Sequence, residues 1–206
     1  MTAARTRRAD SGFSLVELLI VLALISILTL IGMPWMFSSI NRAKLVGAAK
    51  ETSTLMQVAR LESIKQGVPT QVIYVAAADS LLAFADSDQD GIYTAATDRV
   101  IARGSKLPKG IYLWGPTDGA AVGANAIADW DVAAKCVDAK PGPIFRTDGS
   151  ANCSGAFRFR DVHGNFLETR VRFPATAKIV IRKWFGGADA DAQWFENGEA
   201  GNEWTW

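Results

Sequence analysis

The 206 residues are enough for one ordinary domain and something besides, since compact domains usually run to about 100–150 residues. With 22 lysines and arginines against 21 acidic residues, the net charge of +1 gives no global field to draw the chain onto nucleic acid or anionic lipid, so any such binding must be local. One histidine, His163, and two cysteines are too few for a zinc centre or a histidine-based triad, and the expectation is a non-enzymatic protein.

The first element is an apolar run. From Phe13 to Met33 only Ser14, Glu17, Ser26, Thr29 and Gly32 interrupt it. At about 1.5 Å per residue, these 21 residues make roughly 30 Å of helix, the thickness of a bilayer's hydrocarbon core. Arg5, Arg7 and Arg8 precede the run and no basic cluster follows it directly, which places the N-terminus in the cytoplasm and everything after Pro34 outside. A secretory signal peptide shares the basic start, but its apolar stretch is about 7–15 residues and a small-x-small cleavage pattern follows, which Gly32-Met33-Pro34-Trp35 does not supply. Glu17 is the anomaly. An ionised carboxylate in hydrocarbon is costly unless it meets a cation, so this acid either has a functional partner or snorkels to the interface about one turn away. Pro34 has no N–H to continue the ladder, and it either kinks a longer helix or stops the membrane helix.

Ile40 to Gln66 reads as a second stretch of helix, rich in good helix formers. A modest apolar stripe through Leu45, Ala48, Thr52, Leu55 and Ala59 fits packing on a sheet, and Gly67 and Pro69 end the helix. Beyond it come short strand-like runs separated by turn residues: 70–77, 80–85, 99–103, 110–114, 144–146, 156–160, 166–173 and 178–185. The fold class is α+β: a long N-terminal helix, membrane-spanning in its first half, packed on a mostly antiparallel β domain. Its parts are 13–35 for the membrane helix, 36–67 for the amphipathic half, 68–185 for the β domain and 186–206 for an acidic, tryptophan-rich tail.

Four local features carry chemistry. In DSDQDGIYTAATD, residues 86–98, Asp86, Asp88, Asp90 and Gly91 have the spacing of a calcium loop, but Thr97 stands where a bidentate glutamate belongs and Asp98 follows it. The sequence favours a solvated Asx-rich hairpin turn, with a calcium site on Asp86, Asp88, Asp90 and Asp98 as the alternative. Cys136 and Cys153 enclose 16 residues; in an oxidising compartment a disulfide is expected, worth about 3 kcal/mol in the chain-entropy model, against two free thiols. Arg158 and Arg160 alternate with phenylalanines, as Arg170 and Arg172 do with Val171 and Phe173, so pairing of the two strands puts the four guanidinium groups on one face, with Arg182 on the next strand. That face reads as a solvated outer surface, with phosphate binding as the alternative. The tail has no lysine or arginine from Gly186 onward but carries Asp189, Asp191, Glu196, Glu199 and Glu203 among Trp194, Phe195, Trp204 and Trp206. It covers its own sheet edge or anchors a neighbouring subunit.

The stretch SGFSLVELLIVLALISIL, with Gly12 ahead of the apolar run, resembles the class III signal of type IV pilins and type II secretion pseudopilins. The resemblance implies that a prepilin peptidase cuts after Gly12, removes the leader 1–12 and methylates Phe13. Glu17 then becomes the fifth mature residue, pairing with the N-terminal amine of a neighbouring subunit to set filament register, and Pro34 falls where many pilins have a proline. ARLESIKQGVPTQVIYV resembles the second signature of the GspH/FimT family, and GPIFRTDGSANCSGAFRFRD and ATAKIVIRK resemble its last motifs. The implied protein is a minor pseudopilin of the type II secretion system, or alternatively a FimT-like minor type IV pilin acting in pilus assembly or DNA uptake. Its implied partners are other pilins or pseudopilins, the prepilin peptidase, the inner-membrane assembly platform and inner-membrane lipid. It is implied to be a single-pass inner-membrane protein with a periplasmic β domain, and no cofactor is implied besides the calcium alternative. DNA is not the favoured partner. The family's Gly-Arg-x-Arg tail motif lacks its glycine in Ala177-Lys178-Ile179-Val180-Ile181-Arg182, and loss of residues 1–12, with three arginines and one aspartate, takes the charge from +1 to −1.

Overall fold

The computed structural model describes residues 14–117, 126–130, 135–136, 139–188 and 190–206. The chain divides into two compact units, residues 1–40 and 41–206. One helix, α1 (Leu15–Gln66, 52 residues), begins in the first and ends in the second. The helical run is unbroken across Pro34, which therefore does not stop the membrane-length segment.

The described part of the first unit is helix with an apolar, exposed surface: Leu15, Leu24 and Ile31 are 76%, 56% and 73% exposed. By length and composition it can cross a membrane. Two of its hydroxyls are internally satisfied, because Ser26 and Thr29 donate to the carbonyls of Leu22 and Ile25 at 2.8 Å.

In the second unit the helix buries the stripe that the sequence marks out. Leu45, Ala48, Ala49, Thr52, Leu55, Met56, Ala59 and Ser63 are all buried, at spacings of three and four, while Lys50, Gln57 and Leu61 face out. The helix ends where Gly67 takes a positive φ of 66° and its N–H reaches the Ser63 carbonyl, a left-handed cap that a residue with a Cβ resists.

Among the described residues ten strands follow: β1 (Thr70–Val75), β2 (Ser80–Ala85), β3 (Arg99–Arg103), β4 (Ile111–Leu113), β5 (Ile127–Ala128), β6 (Ile144–Phe145), β7 (Gly155–Asp161), β8 (Phe166–Phe173), β9 (Lys178–Trp184) and β10 (Trp194–Phe195). They form two antiparallel sheets, ordered β3-β2-β1-β6 and β10-β9-β8-β7-β4, with β5 beside β4 along the free edge of β7. Turn chemistry sets the hairpin registers. Tyr74 Oη donates to Asp79 at 2.7 Å across the β1–β2 turn, and the buried Asp161 carboxylate accepts the backbone N–H groups of His163 and Asn165 at 2.9 Å across the β7–β8 turn. The core lies between helix and sheets. Val72, Ala83 and Phe145 from the first sheet and Phe157, Phe159, Leu167 and Val171 from the second close on Leu45, Met56 and Ala59. Two buried threonines hydrogen-bond the helix backbone at 2.9 Å, Thr70 to the Ala59 carbonyl and Thr169 to that of Ala49.

Candidate functional site

The N-terminal segment carries the sequence's strongest functional signal. Gly12 and Phe13, with the rest of the leader 1–12, lie outside the described residues. Ser14 caps the helix, its Oγ accepting the Glu17 N–H at 3.2 Å. Among the described residues no cation pairs with the exposed Glu17 carboxylate, and the next charged residue along the chain is Arg42. A carboxylate on an apolar helix near its positive end is thus left with half a salt bridge.

The acidic loop between β2 and β3 folds back on itself. Asp86 and Asp98, both buried, stand at its two ends, and with the exposed Asp88 they bring one carboxylate oxygen each to within 4.8 Å of the others. Asp98 accepts the N–H groups of Ser87 at 3.1 Å and Thr94 at 2.8 Å, while one oxygen of Asp86 accepts that of Gly91 at 3.0 Å. Burial pushes the Asp86 carboxyl above its ordinary range; the Gly91 N–H offsets part of this, and the charges of Asp98 and Asp90 add to it. Asp90 does not join the cluster. It turns back to accept the Ile92 N–H at 2.7 Å, so of Asp86, Asp88, Asp90 and Asp98 the fold groups only the first, second and fourth. The reason is spacing: a loop closed by Asp98 at its thirteenth position brings Asp86 and Asp88 to that end and leaves the fifth residue to cap the turn.

Cys136 and Cys153 are joined, with Cα atoms 5.5 Å apart, and Trp130 is buried beside them with its ring centroid 4.9 Å from that of Phe157.

The arginine face differs from the expected solvated surface. Pairing does put Arg158, Glu168 and Arg182 directly across from one another on β7, β8 and β9. Yet Arg158, Arg170 and Arg182 are 6%, 6% and 1% exposed, and all three converge on Glu168, which is fully buried. Their Nε atoms donate to its carboxylate at 3.1, 3.0 and 2.8 Å. Asp129 accepts from Arg170 at 3.0 Å and Asp191 from Arg182 at 2.6 Å, so three carboxylates balance three guanidinium groups. The tail is the lid. β10 pairs with β9, Trp194 is buried with its ring 4.9 Å from the Arg158 guanidinium, and Arg172 reaches Glu196 and Glu199 at 2.8 and 2.9 Å. Arg160 lies over the rings of Trp114 and Phe166. Charge neutralisation and burial thus leave Arg158, Arg170 and Arg182 little guanidinium surface to offer a phosphate. The pKa directions agree. Burial opposes the charge on Arg170 but Glu168 and Asp129 outweigh it and hold the guanidinium above its ordinary value, and the Arg182 guanidinium holds Asp191 below the usual carboxylate range. The sequence reading missed Glu168, although it alternates with Arg170 and Arg172 on the same strand face.

The family described as the prokaryotic N-terminal methylation motif matches residues 7–33. No curated protein matches the chain. No solved structure matches it either. The methylation motif and a long helix packed on antiparallel sheets support a type IV pilin-like reading, and a prepilin-type signal of this kind fits peptidase processing, inner-membrane anchoring and assembly into a pilus or pseudopilus.

Proposed function

We propose that the chain is a minor pseudopilin of the GspH/FimT kind, a non-enzymatic subunit that assembles into the periplasmic pseudopilus of a type II secretion system. The carrying observation is Glu17: the only charge between the start of the described helix and Arg42, exposed on an apolar surface and without a cation partner among the described residues. In lipid that state is costly, and an ammonium group at the N-terminus of a neighbouring subunit relieves it only when the two pack side by side, so the pair couples membrane exit to filament register. The resemblance of residues 59–75 and 142–161 to GspH/FimT motifs supports the finer placement, and the neutralised arginine face speaks against DNA as the working ligand.

The test is in cells. Glu17→Ala and Glu17→Leu should reach the inner membrane, show a methylated Phe13 by N-terminal mass spectrometry, and lower secretion at least tenfold. A variant that secretes like the parent would remove the electrostatic basis of the proposal. Loss of surface pili with intact secretion would instead place the chain among FimT-like minor pilins.

A further inference from the structure

We propose that the loop from Asp86 to Asp98 is a calcium site whose protein ligands are the carboxylates of Asp86, Asp88 and Asp98. Three acids in one loop would not by themselves make a site. The decisive observation is the second oxygen of Asp86. The residue is 2% exposed, and its Oδ1 is out of reach of solvent and completes no hydrogen bond among the described residues, although Oδ2 accepts the Gly91 N–H and the Gln89 N–H also bears on the carboxylate. A buried carboxylate oxygen that completes no hydrogen bond, set against two further carboxylates, is an arrangement that a cation stabilises and its absence penalises.

Among the described residues no side chain fills that role. Lys140 lines the same pocket as Asp86, but its ammonium is held by the Asp90 carbonyl, and among the described residues neither lysine nor arginine forms an ion pair with Asp86, Asp88 or Asp98. The geometry selects the ion. The three oxygens lie within 4.8 Å of one another, and calcium, whose ligands sit at about 2.3–2.6 Å, holds oxygens up to roughly 5 Å apart. Magnesium, with its ligands at about 2.0–2.1 Å in a strict octahedron, fits such a set less well. Gly91, at φ 71°, gives the turn between the ligands the left-handed residue that tight oxygen loops need. No bidentate glutamate is present, and calcium's remaining coordination positions fall to backbone carbonyls and water. This ligand count matches the weak class of extracellular calcium modules, with a Kd of about 10⁻⁴–10⁻³ M.

The test uses the full chain extracted in detergent and stripped with EDTA, titrated with calcium chloride by calorimetry and by thermal unfolding. Expected are one calcium per chain and a Tm that rises by a few degrees at millimolar calcium. Asp98→Asn should abolish the binding. Asp88→Asn, at an exposed residue whose loss leaves folding intact, should weaken it about tenfold, whereas Asp90→Asn should change Kd less than threefold. No saturable heat and no Tm change up to about 10 mM calcium would overturn the proposal. So would a Kd unmoved by Asp88→Asn, or an equal response to magnesium, which would mark an unspecific counterion.

Discussion

Two glutamates in this molecule meet opposite circumstances. Glu168 is fully buried in the second sheet and collects three guanidinium groups from β7, β8 and β9, whereas Glu17 is exposed on an apolar helix and has no cation among the described residues. In one region the chain completes its own electrostatics; in the other, on the function proposed above, it leaves them for a second molecule. A buried acid that the fold satisfies works for stability, and the proposal assigns the unsatisfied one on a lipid-length helix to association.

The contrast can be broken most severely at Glu168. Glu168→Ala leaves Arg158, Arg170 and Arg182 buried with only Asp129 and Asp191 to oppose them, and removal of one member of a buried ion pair already costs about 3–5 kcal/mol. Urea unfolding should show at least that loss, or no cooperative transition. Reduction of the Cys136–Cys153 disulfide comes next, at about 3 kcal/mol by the same measurement. It frees the segment that carries Asp129, so the Arg170 end of the cluster should loosen first.

Acid should undo the lid more gently. Asp191 and Asp129 both have depressed folded pKa values. Arg182 depresses Asp191; for Asp129, burial pushes upward but Lys135 and Arg170 outweigh it. A depressed carboxylate contributes stability that is complete above its unfolded pKa, about 3.9, and is lost as pH falls through the folded value. Near-UV circular dichroism from Trp194 should therefore hold steady from neutrality to about pH 4 and decay below it. In Asp191→Asn the decay should shrink, with a loss below about 1 kcal/mol at neutral pH because this carboxylate is largely exposed. The smallest effect on stability belongs to Glu17→Ala, within about 0.5 kcal/mol by urea unfolding, since surface changes away from any contact rarely exceed that. A large destabilisation there would mean that Glu17 serves the fold and would end the contrast.

Much of the fold was legible because it obeys simple periods. The helix end at Gln66, and strands β2, β3 and β8, follow the sequence pattern residue for residue, since apolar spacing and turn residues agree at each. β5 and β10 were not legible, because two-residue strands such as Trp194–Phe195 have no period to read and depend on the edge they find. The arginine face was misread for a different reason. Alternating Arg and Phe on an antiparallel strand is what a half-solvated sheet looks like, and only Glu168 in the same alternation and the acids of a distant tail reveal that both faces are covered. Residues 7–33, by contrast, match a methylation motif that is read in linear order and needs no fold to be recognised.

The lid has a practical corollary. A chain shortened at Phe185 would shed Asp191, Glu196 and Glu199 and uncover a row of guanidinium groups facing only Glu168 and Asp129. Such a fragment would adhere to heparin resin that the intact protein passes through, and its affinity for polyanions would be an artefact of trimming.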